Sequence, residues 1–146
     1  MATSTFALIV VSSLVIFWVV FDFLIARASG WRTLALVYPA VLAFVGQRYR
    51  FCSVGFRRGT YYRGCVTFGT CPEGLFVAVF FPFQFGHPPI FVPWSDLLVT
   101  ESKIFWLRRV RLSFERAPGV WLSISPSLAV KVLQFCPSAW PSRSAA

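Results

Sequence analysis

The chain of 146 residues carries little charge, because only 13% of its residues are Asp, Glu, Lys or Arg, against about 25% in typical soluble domains. Acidic residues are the scarcer kind: five face fourteen Lys and Arg, which gives a formal net charge of +9. Hydrophobic residues make up 57% and aromatic residues 18%, so an intrinsically disordered chain is excluded. The length fits one ordinary domain, or a smaller domain with a membrane segment.

Motifs of enzyme chemistry are also missing. The sequence has one histidine, His87, no Gly-x-Ser-x-Gly and no paired carboxylates, whereas a catalytic histidine needs a nucleophile and an orienting group beside it. Since His87 lies between Gly86 and Pro88, we expect a turn residue that forms hydrogen bonds with local backbone. The sequence therefore predicts no enzyme and no cofactor.

The cysteines form no Cys-x-x-Cys pair, and a single histidine is too few for the usual zinc sites. In the cytoplasm we expect all of them to be reduced and mostly buried. Outside the cell, the even count would permit two disulfides. The cysteines are Cys52, Cys65, Cys71 and Cys136.

Residues 6–25 form an apolar run that only Ser12, Ser13 and Asp22 interrupt. As a helix, such a run reaches about 30 Å, the thickness of a hydrocarbon core. We therefore predict a transmembrane anchor over residues 1–30. A cleaved signal peptide is the alternative, because residues 26–28 read Ala-Arg-Ala. The missing basic residues before the run and its length speak against cleavage.

Basic residues indicate the orientation of this anchor. None precedes Arg27, so the positive-inside rule predicts a single-pass protein of the cell membrane, with the N-terminus outside and the C-terminal domain in the cytoplasm. Asp22 lies near the inner end of the run. We expect its carboxylate to approach headgroup water or to pair with Arg27; a functional carboxylate within the membrane is the alternative.

Residues 31–46 are apolar too, but their uncharged part spans only 14 residues and contains Pro39. That length is short for a membrane span. We predict an apolar interfacial segment here, and a second crossing is the alternative.

From residue 47 onward, turn-forming clusters alternate with short runs of Val, Ile, Phe, Tyr and Thr, the residues that favour strands. We expect six or seven antiparallel strands, among them residues 60–68, 74–81, 90–92, 103–108, 109–115 and 120–124. Pro118-Gly119 is predicted to form the turn between the last two. Ser125 is a good N-cap for a short helix over residues 127–136.

The predicted fold class is therefore α+β: an N-terminal transmembrane helix, then a small antiparallel β-roll or barrel with a C-terminal helix. The β domain with that helix covers residues 47–137, and residues 138–146 are predicted to be a flexible tail.

Part of this sequence resembles a pattern in uncharacterised bacterial single-pass membrane proteins. Gly74-Leu75 leads a strand, and the segments 86–90 (Gly-His-Pro-Pro-Ile) and 92–97 (Val-Pro-Trp-Ser-Asp-Leu) follow it. The second segment is also similar to a strand of bacterial pleckstrin-homology-like domains. The resemblance implies a pleckstrin-homology-like roll that binds lipids or proteins without catalysis, carried by a protein of the bacterial inner membrane.

Basic and aromatic residues interleave between residues 48 and 63. Such a texture can bind nucleic acid, but beside a membrane helix the anionic leaflet is the simpler partner. Topology determination and solubility are the plainer interpretation. The candidates for contact with anionic lipid are Arg48, Arg50, Arg57, Arg58 and Arg63. The candidates for contact with a partner protein are Phe81, Phe83, Phe85 and Trp94.

The sequence thus predicts a membrane-anchored, non-catalytic binding or scaffolding module whose basic face lies toward the anionic inner leaflet. We expect its partners to be the lipid bilayer, anionic lipid headgroups and a membrane protein, and no nucleic acid. A structural subunit of a larger membrane complex and a secreted β domain with a cleaved signal peptide are the alternatives.

Overall fold

A computed structural model describes residues 2–135, apart from the side chain of Arg58. Helix α1 (Ala2–Ser29) is the one described helix that is long and apolar enough to span a membrane. Its side chains are exposed on every side along residues 2–18, as contact with lipid demands. The predicted N-terminal helix is confirmed.

Helix α2 (Trp31–Val37) follows α1 after a single residue, Gly30. Gly30 has φ 91°, a left-handed conformation that glycine adopts without steric cost, so the chain changes direction there. Trp31, Leu34, Ala35 and Tyr38 are buried in the core of the sheet domain.

The segment 31–46 therefore has two different halves. Its helical half, α2, is seven residues long and buries one face, whereas Leu36 is 76% exposed; among the described helices only α1 is long enough to span a membrane. Its second half is exposed and apolar: Val41, Leu42 and Val45 are 83%, 84% and 86% exposed.

Seven antiparallel strands form one sheet in the order β4-β3-β2-β1-β7-β6-β5. The α+β fold class is confirmed, with helix α3 (Pro126–Val132) after the last strand. The strands are β1 (Gln47–Phe56), β2 (Tyr61–Cys71), β3 (Gly74–Val79), β4 (Ile90–Pro93), β5 (Leu97–Ile104), β6 (Leu107–Phe114) and β7 (Ala117–Ile124).

The two halves of the sheet meet at β1 and β7, where only Gly55 with Ser123 and Phe56 with Leu122 are paired. Helix α3 packs on β6 and on β2, one strand from each half, so it covers the core between them. Ser125 caps this helix by accepting a hydrogen bond from the Leu128 amide, as predicted. The helix ends earlier than predicted; Cys136, Pro137 and the predicted tail 138–146 lie outside the described residues.

The turn between β6 and β7 differs from the prediction. It lies at residues 115–116, whereas Pro118 and Gly119 belong to β7. The pairing shifts register between Ser113 and Phe114, and such an irregularity is where a strand accommodates proline and glycine.

The predicted strand over residues 103–108 is also wrong, because Phe105 and Trp106 form the turn between β5 and β6. Phe105 has φ 57°, a conformation that glycine or asparagine usually supplies. A pair of aromatic residues gives no sequence signal for a turn.

Candidate functional site

The last third of α1 packs against the sheet domain, and we call this region of contact the junction. Asp22, Ala26 and Ser29 are the buried residues of a mostly exposed helix, and Ile25 is partly buried against the core. Their spacing of four and three residues places them on one face. Further up the helix, the Trp18 ring lies 5.2 Å from the Phe83 ring.

A chain of hydrogen bonds crosses the junction. Ser29 Oγ lies 3.0 Å from the Tyr62 hydroxyl oxygen, which lies 2.8 Å from His87 Nε2. His87 Nδ1 is 2.9 Å from the Phe85 carbonyl oxygen. Since that carbonyl only accepts, Nδ1 donates to it. In the neutral imidazole Nε2 then accepts from Tyr62, and Tyr62 accepts from Ser29.

Burial keeps His87 and Tyr62, two members of this hydrogen-bond chain, neutral. It lowers the pKa of His87 and raises the pKa of Tyr62 to about 12, because a charged form loses its hydration in the interior. The expected bond of His87 with local backbone is confirmed by its contact with Phe85. Its bond with Tyr62, 25 residues away in sequence, gave no signal in the sequence.

Trp31 packs against the side chains of the hydrogen-bond chain and fixes the segment that carries His87. Its indole nitrogen donates to the Pro88 carbonyl oxygen at 2.8 Å. The ring centroid lies 5.3 Å from that of His87, 5.5 Å from that of Phe56 and 5.8 Å from that of Tyr62. A tryptophan expected at the membrane interface is thus the centre of the junction.

Asp22 is buried in the junction, with 4% of its surface exposed. Its Oδ2 has no hydrogen-bond partner, and Arg27 is exposed. The expectation that Asp22 meets headgroup water or Arg27 is wrong, because α1 turns this face toward the sheet. Asp22 borders a cavity of about 230 Å³ that Tyr61 and Arg63 also line.

The candidate arginines do not form one patch. Arg63 lies at the junction, with its guanidinium carbon 5.9 Å from the centre of the Tyr61 ring. Arg48 and Arg50 line a surface groove together with Phe51 and other residues of β1 to β3. Arg48 also donates to the Phe44 carbonyl oxygen at 3.0 Å.

Arg57 is used within the fold: its guanidinium donates to the Gly119 carbonyl oxygen at 2.7 Å. The side chain of Arg58 lies outside the described part of the structure. Arg48, Arg50 and Arg63 are exposed. Arg63 lines the cavity beside α1, whereas the groove of Arg48 and Arg50 includes Phe51 and Phe80 and no residue of α1.

Phe81, Phe83 and Phe85 come together in the connection between β3 and β4, residues 80–89. Phe81 is 65% exposed and lies 6.3 Å from Phe85, whereas Phe83 packs on α1. Trp94 is at the opposite end of β4, half-buried, and donates to the Cys71 carbonyl oxygen at 2.8 Å. The structure therefore separates Trp94 from the other three candidates.

Two groups of exposed apolar side chains extend from the junction, and we call them together the apolar collar. On one side, Phe51 packs on Phe80 at 5.6 Å, and Phe80 packs on Phe83 at 6.1 Å. On the other side, Tyr61 shares a groove with Ile104 and Leu107. The collar consists of Phe51, Tyr61, Phe80, Phe81, Phe85, Ile104, Phe105, Trp106 and Leu107.

The described cysteines are buried free thiols: Cys52, Cys65 and Cys71. Burial raises the pKa of Cys52 and of Cys65, which disfavours the reactive thiolate. Cys136 lies outside the described residues. Within residues 2–135, no group of three or more His, Cys, Asp or Glu side chains could hold a metal ion.

No protein-family model, curated protein or solved structure matches the chain. The junction and the apolar collar are the features of the molecule that bear on its function.

Proposed function

We propose that the protein is a membrane-anchored, non-catalytic binding or scaffolding module with a pleckstrin-homology-like roll. The junction is the observation that carries this proposal. Because Asp22, Ala26 and Ser29 are buried by the sheet domain, α1 belongs to the folded protein, and cleavage after Ala28 would remove two of these three residues.

The apolar collar supports a position of the domain at the membrane surface. It extends from the part of α1 that packs on the sheet, through Phe83 on one side and through Tyr61 on the other. Aromatic side chains favour this boundary, and each Lys or Arg near an anionic leaflet adds about 1 kcal/mol of attraction. Arg50 and Arg63 border the collar, so we propose them as contacts with anionic headgroups.

The environment of His87 supports a function without catalysis. Both of its ring nitrogens are in hydrogen bonds with the protein, to Tyr62 and to Phe85. Burial also lowers the pKa of His87 and raises the pKa of Tyr62 to about 12, so transfer of the Tyr62 proton to His87 is disfavoured.

Topology mapping tests the anchor and its orientation together. With a reporter fused after Ala146, we expect cytoplasmic activity and a protein that stays in the membrane fraction after carbonate extraction. The expectation rests on Arg27 as the first basic residue. A mature form that begins at Ser29 and is free in the periplasm would contradict the proposal.

Native mass spectrometry of the full chain, released from detergent with mixed lipids, tests the lipid contacts. We expect the chain to retain phosphatidylglycerol over phosphatidylcholine, and the double variant Arg50→Gln and Arg63→Gln to lose this preference. Arg116→Gln is the control, because this arginine lies over Tyr38, outside the collar. Equal retention of both lipids by the unaltered protein would remove the lipid contact.

A structural subunit of a larger membrane complex is the second candidate. The exposed apolar residues 41–45 favour it, because they border a cavity of about 420 Å³ beside Cys71, at the opposite end of β2 from Tyr61 and the junction. In mild detergent we expect a second protein to co-purify with the chain. The variant Leu42→Ser should release it, and the control Leu98→Ser, at an exposed position of β5, should retain it. A clean monomer would exclude this candidate.

A further inference from the structure

The turn between β5 and β6 presents the most exposed aromatic side chains of the described residues. Phe105 is 88% exposed and Trp106 is 86% exposed, and their ring centroids lie 6.1 Å apart. Ile104 and Leu107 flank them and are 42% and 58% exposed. Four consecutive apolar residues at a loop tip are unusual for a surface that meets only water.

The backbone of this turn is strained at Phe105, an aromatic residue. Phe105 has φ 57°, and a bulky side chain in that region is an outlier. Such strain persists only where the surroundings over-determine it, often at functional positions. A glycine would form the same turn without strain. The stability of the fold alone therefore does not explain an aromatic side chain at position 105.

The turn also projects from the sheet. Strand β7 reaches only as far as the pair Val110 and Ile124, while β5 and β6 continue for three further pairs to Ile104 and Leu107. The tip therefore extends beyond the end of β7.

This projection lies on the same side of the domain as α1. Ile104 and Leu107 share a groove with Tyr61, and Tyr61 lines the junction cavity with Trp18 and Asp22. Arg109, two residues beyond the tip, has its guanidinium carbon 5.8 Å from the centre of the Tyr61 ring.

Two positive charges beside the tip indicate the kind of surface that it binds. Lys103 and Arg108 are direct partners across the two strands, and like charges in that position destabilise a sheet. Both side chains are exposed. Behind a tip of Phe and Trp, two facing cations match an interface in which apolar chains lie below anionic headgroups.

We propose that the β5–β6 tip inserts into the interface of the same bilayer that holds α1, with Lys103 and Arg108 on anionic headgroups, as a second membrane attachment. The inference rests on the proposed membrane anchor. Because α1 packs on the domain, the second attachment restricts the tilt of helix and domain together, which a single spanning helix leaves free.

The test uses the full chain in nanodiscs of phosphatidylcholine, alone or with phosphatidylglycerol. A photoactivatable phenylalanine analogue replaces Trp106, Leu14 of α1, or Leu98 at the far end of β5, which is 56% exposed. We expect lipid adducts at Leu14 and Trp106 and none at Leu98. Adducts at Leu14 without adducts at Trp106 would overturn this inference and spare the anchor; no adducts at Leu14 would overturn the anchor itself. Cross-linked protein dimers at Trp106 would also overturn the inference.

Two variants separate the roles of ring and charge. Phe105→Gly relieves the backbone strain, so we expect an equal or higher thermal midpoint together with a lower yield of lipid adducts at position 106. The double variant Lys103→Glu and Arg108→Glu should lower the yield in anionic nanodiscs by about fivefold for each cation lost. Lys131→Glu with Arg116→Glu makes the same change of charge outside the tip and should not lower it. Equal loss in both double variants would overturn the headgroup contact.

Discussion

Gly86 lies against Phe23 of α1 with no room for a side chain between them. A Cβ atom on Gly86 would be 2.9 Å from the Phe23 ring and 3.1 Å from its Cα. Gly86 also has φ 72°, so glycine satisfies both the backbone conformation and the close approach. This contact sets how closely the connection between β3 and β4 lies on the helix.

Replacing this glycine should loosen the junction. We expect Gly86→Ala to lower the free energy of unfolding by about 1–3 kcal/mol more than its backbone effect alone, because the new methyl group overpacks the contact. Gly59→Ala is the matched control: Gly59 has φ 74° but no atom within 4 Å of its Cβ position. Thermal unfolding of the full chain in detergent measures both, and equal losses would contradict the packing argument.

Removing the hydroxyl group of Tyr62 should break the hydrogen-bond chain. In Tyr62→Phe, His87 Nε2 and Ser29 lose a partner in a buried place, which costs about 1–3 kcal/mol of stability. Tyr61→Phe is the control, because Tyr61 is 48% exposed, and surface substitutions usually stay within about 0.5 kcal/mol. If Tyr62→Phe is as stable as the control, the hydrogen-bond chain does not stabilise the junction.

The protein should lose stability as the pH falls below about 6.5. Burial lowers the pKa of His87, and Asp22 opposes this in part; Tyr62 is uncharged at this pH. The unfolded chain therefore binds a proton that the folded protein does not, so stability is complete above the unfolded pKa and falls toward the folded pKa, by at most about 1.4 kcal/mol per pH unit.

His87 is the only histidine, so the variant His87→Gln should remove this slope between pH 5 and 7. Thermal midpoints of both proteins across that range measure the effect. A slope that persists in His87→Gln would assign the titration to another group.

Replacing the carboxyl group of Asp22 with an apolar side chain should stabilise the protein. A buried polar atom without a hydrogen-bond partner costs about 1–3 kcal/mol, and Asp22→Leu removes that cost. Asp22→Asn keeps a polar group and should gain less. If Asp22→Leu instead unfolds more easily in detergent, Asp22 has a stabilising partner within the junction.

The sequence predicts those elements whose residues show a regular period or a known cap. Val110, Leu112 and Phe114 alternate with polar residues, and they point inward from β6 as expected. Ser125, a favourable N-cap residue, likewise predicts the start of α3. The tip at Phe105 was missed because its turn contains none of the residues that usually permit a positive φ.

The junction could not be predicted, because its partners are far apart in sequence. Ser29 and Tyr62 are separated by 33 residues, and neither carries a motif. Trp31 has the residue type of a membrane interface, yet the Pro88 carbonyl provides the hydrogen-bond acceptor that lets its indole be buried. Only the assembled fold supplies that acceptor.

Gly30 is the whole connection between α1 and α2, and α2 buries one face in the core. A domain on a long flexible linker would reorient freely beneath its anchor. Here a rotation of α1 about its own axis carries the sheet around with it. Any neighbour that turns this helix within the bilayer would thereby change which edge of the sheet faces that neighbour.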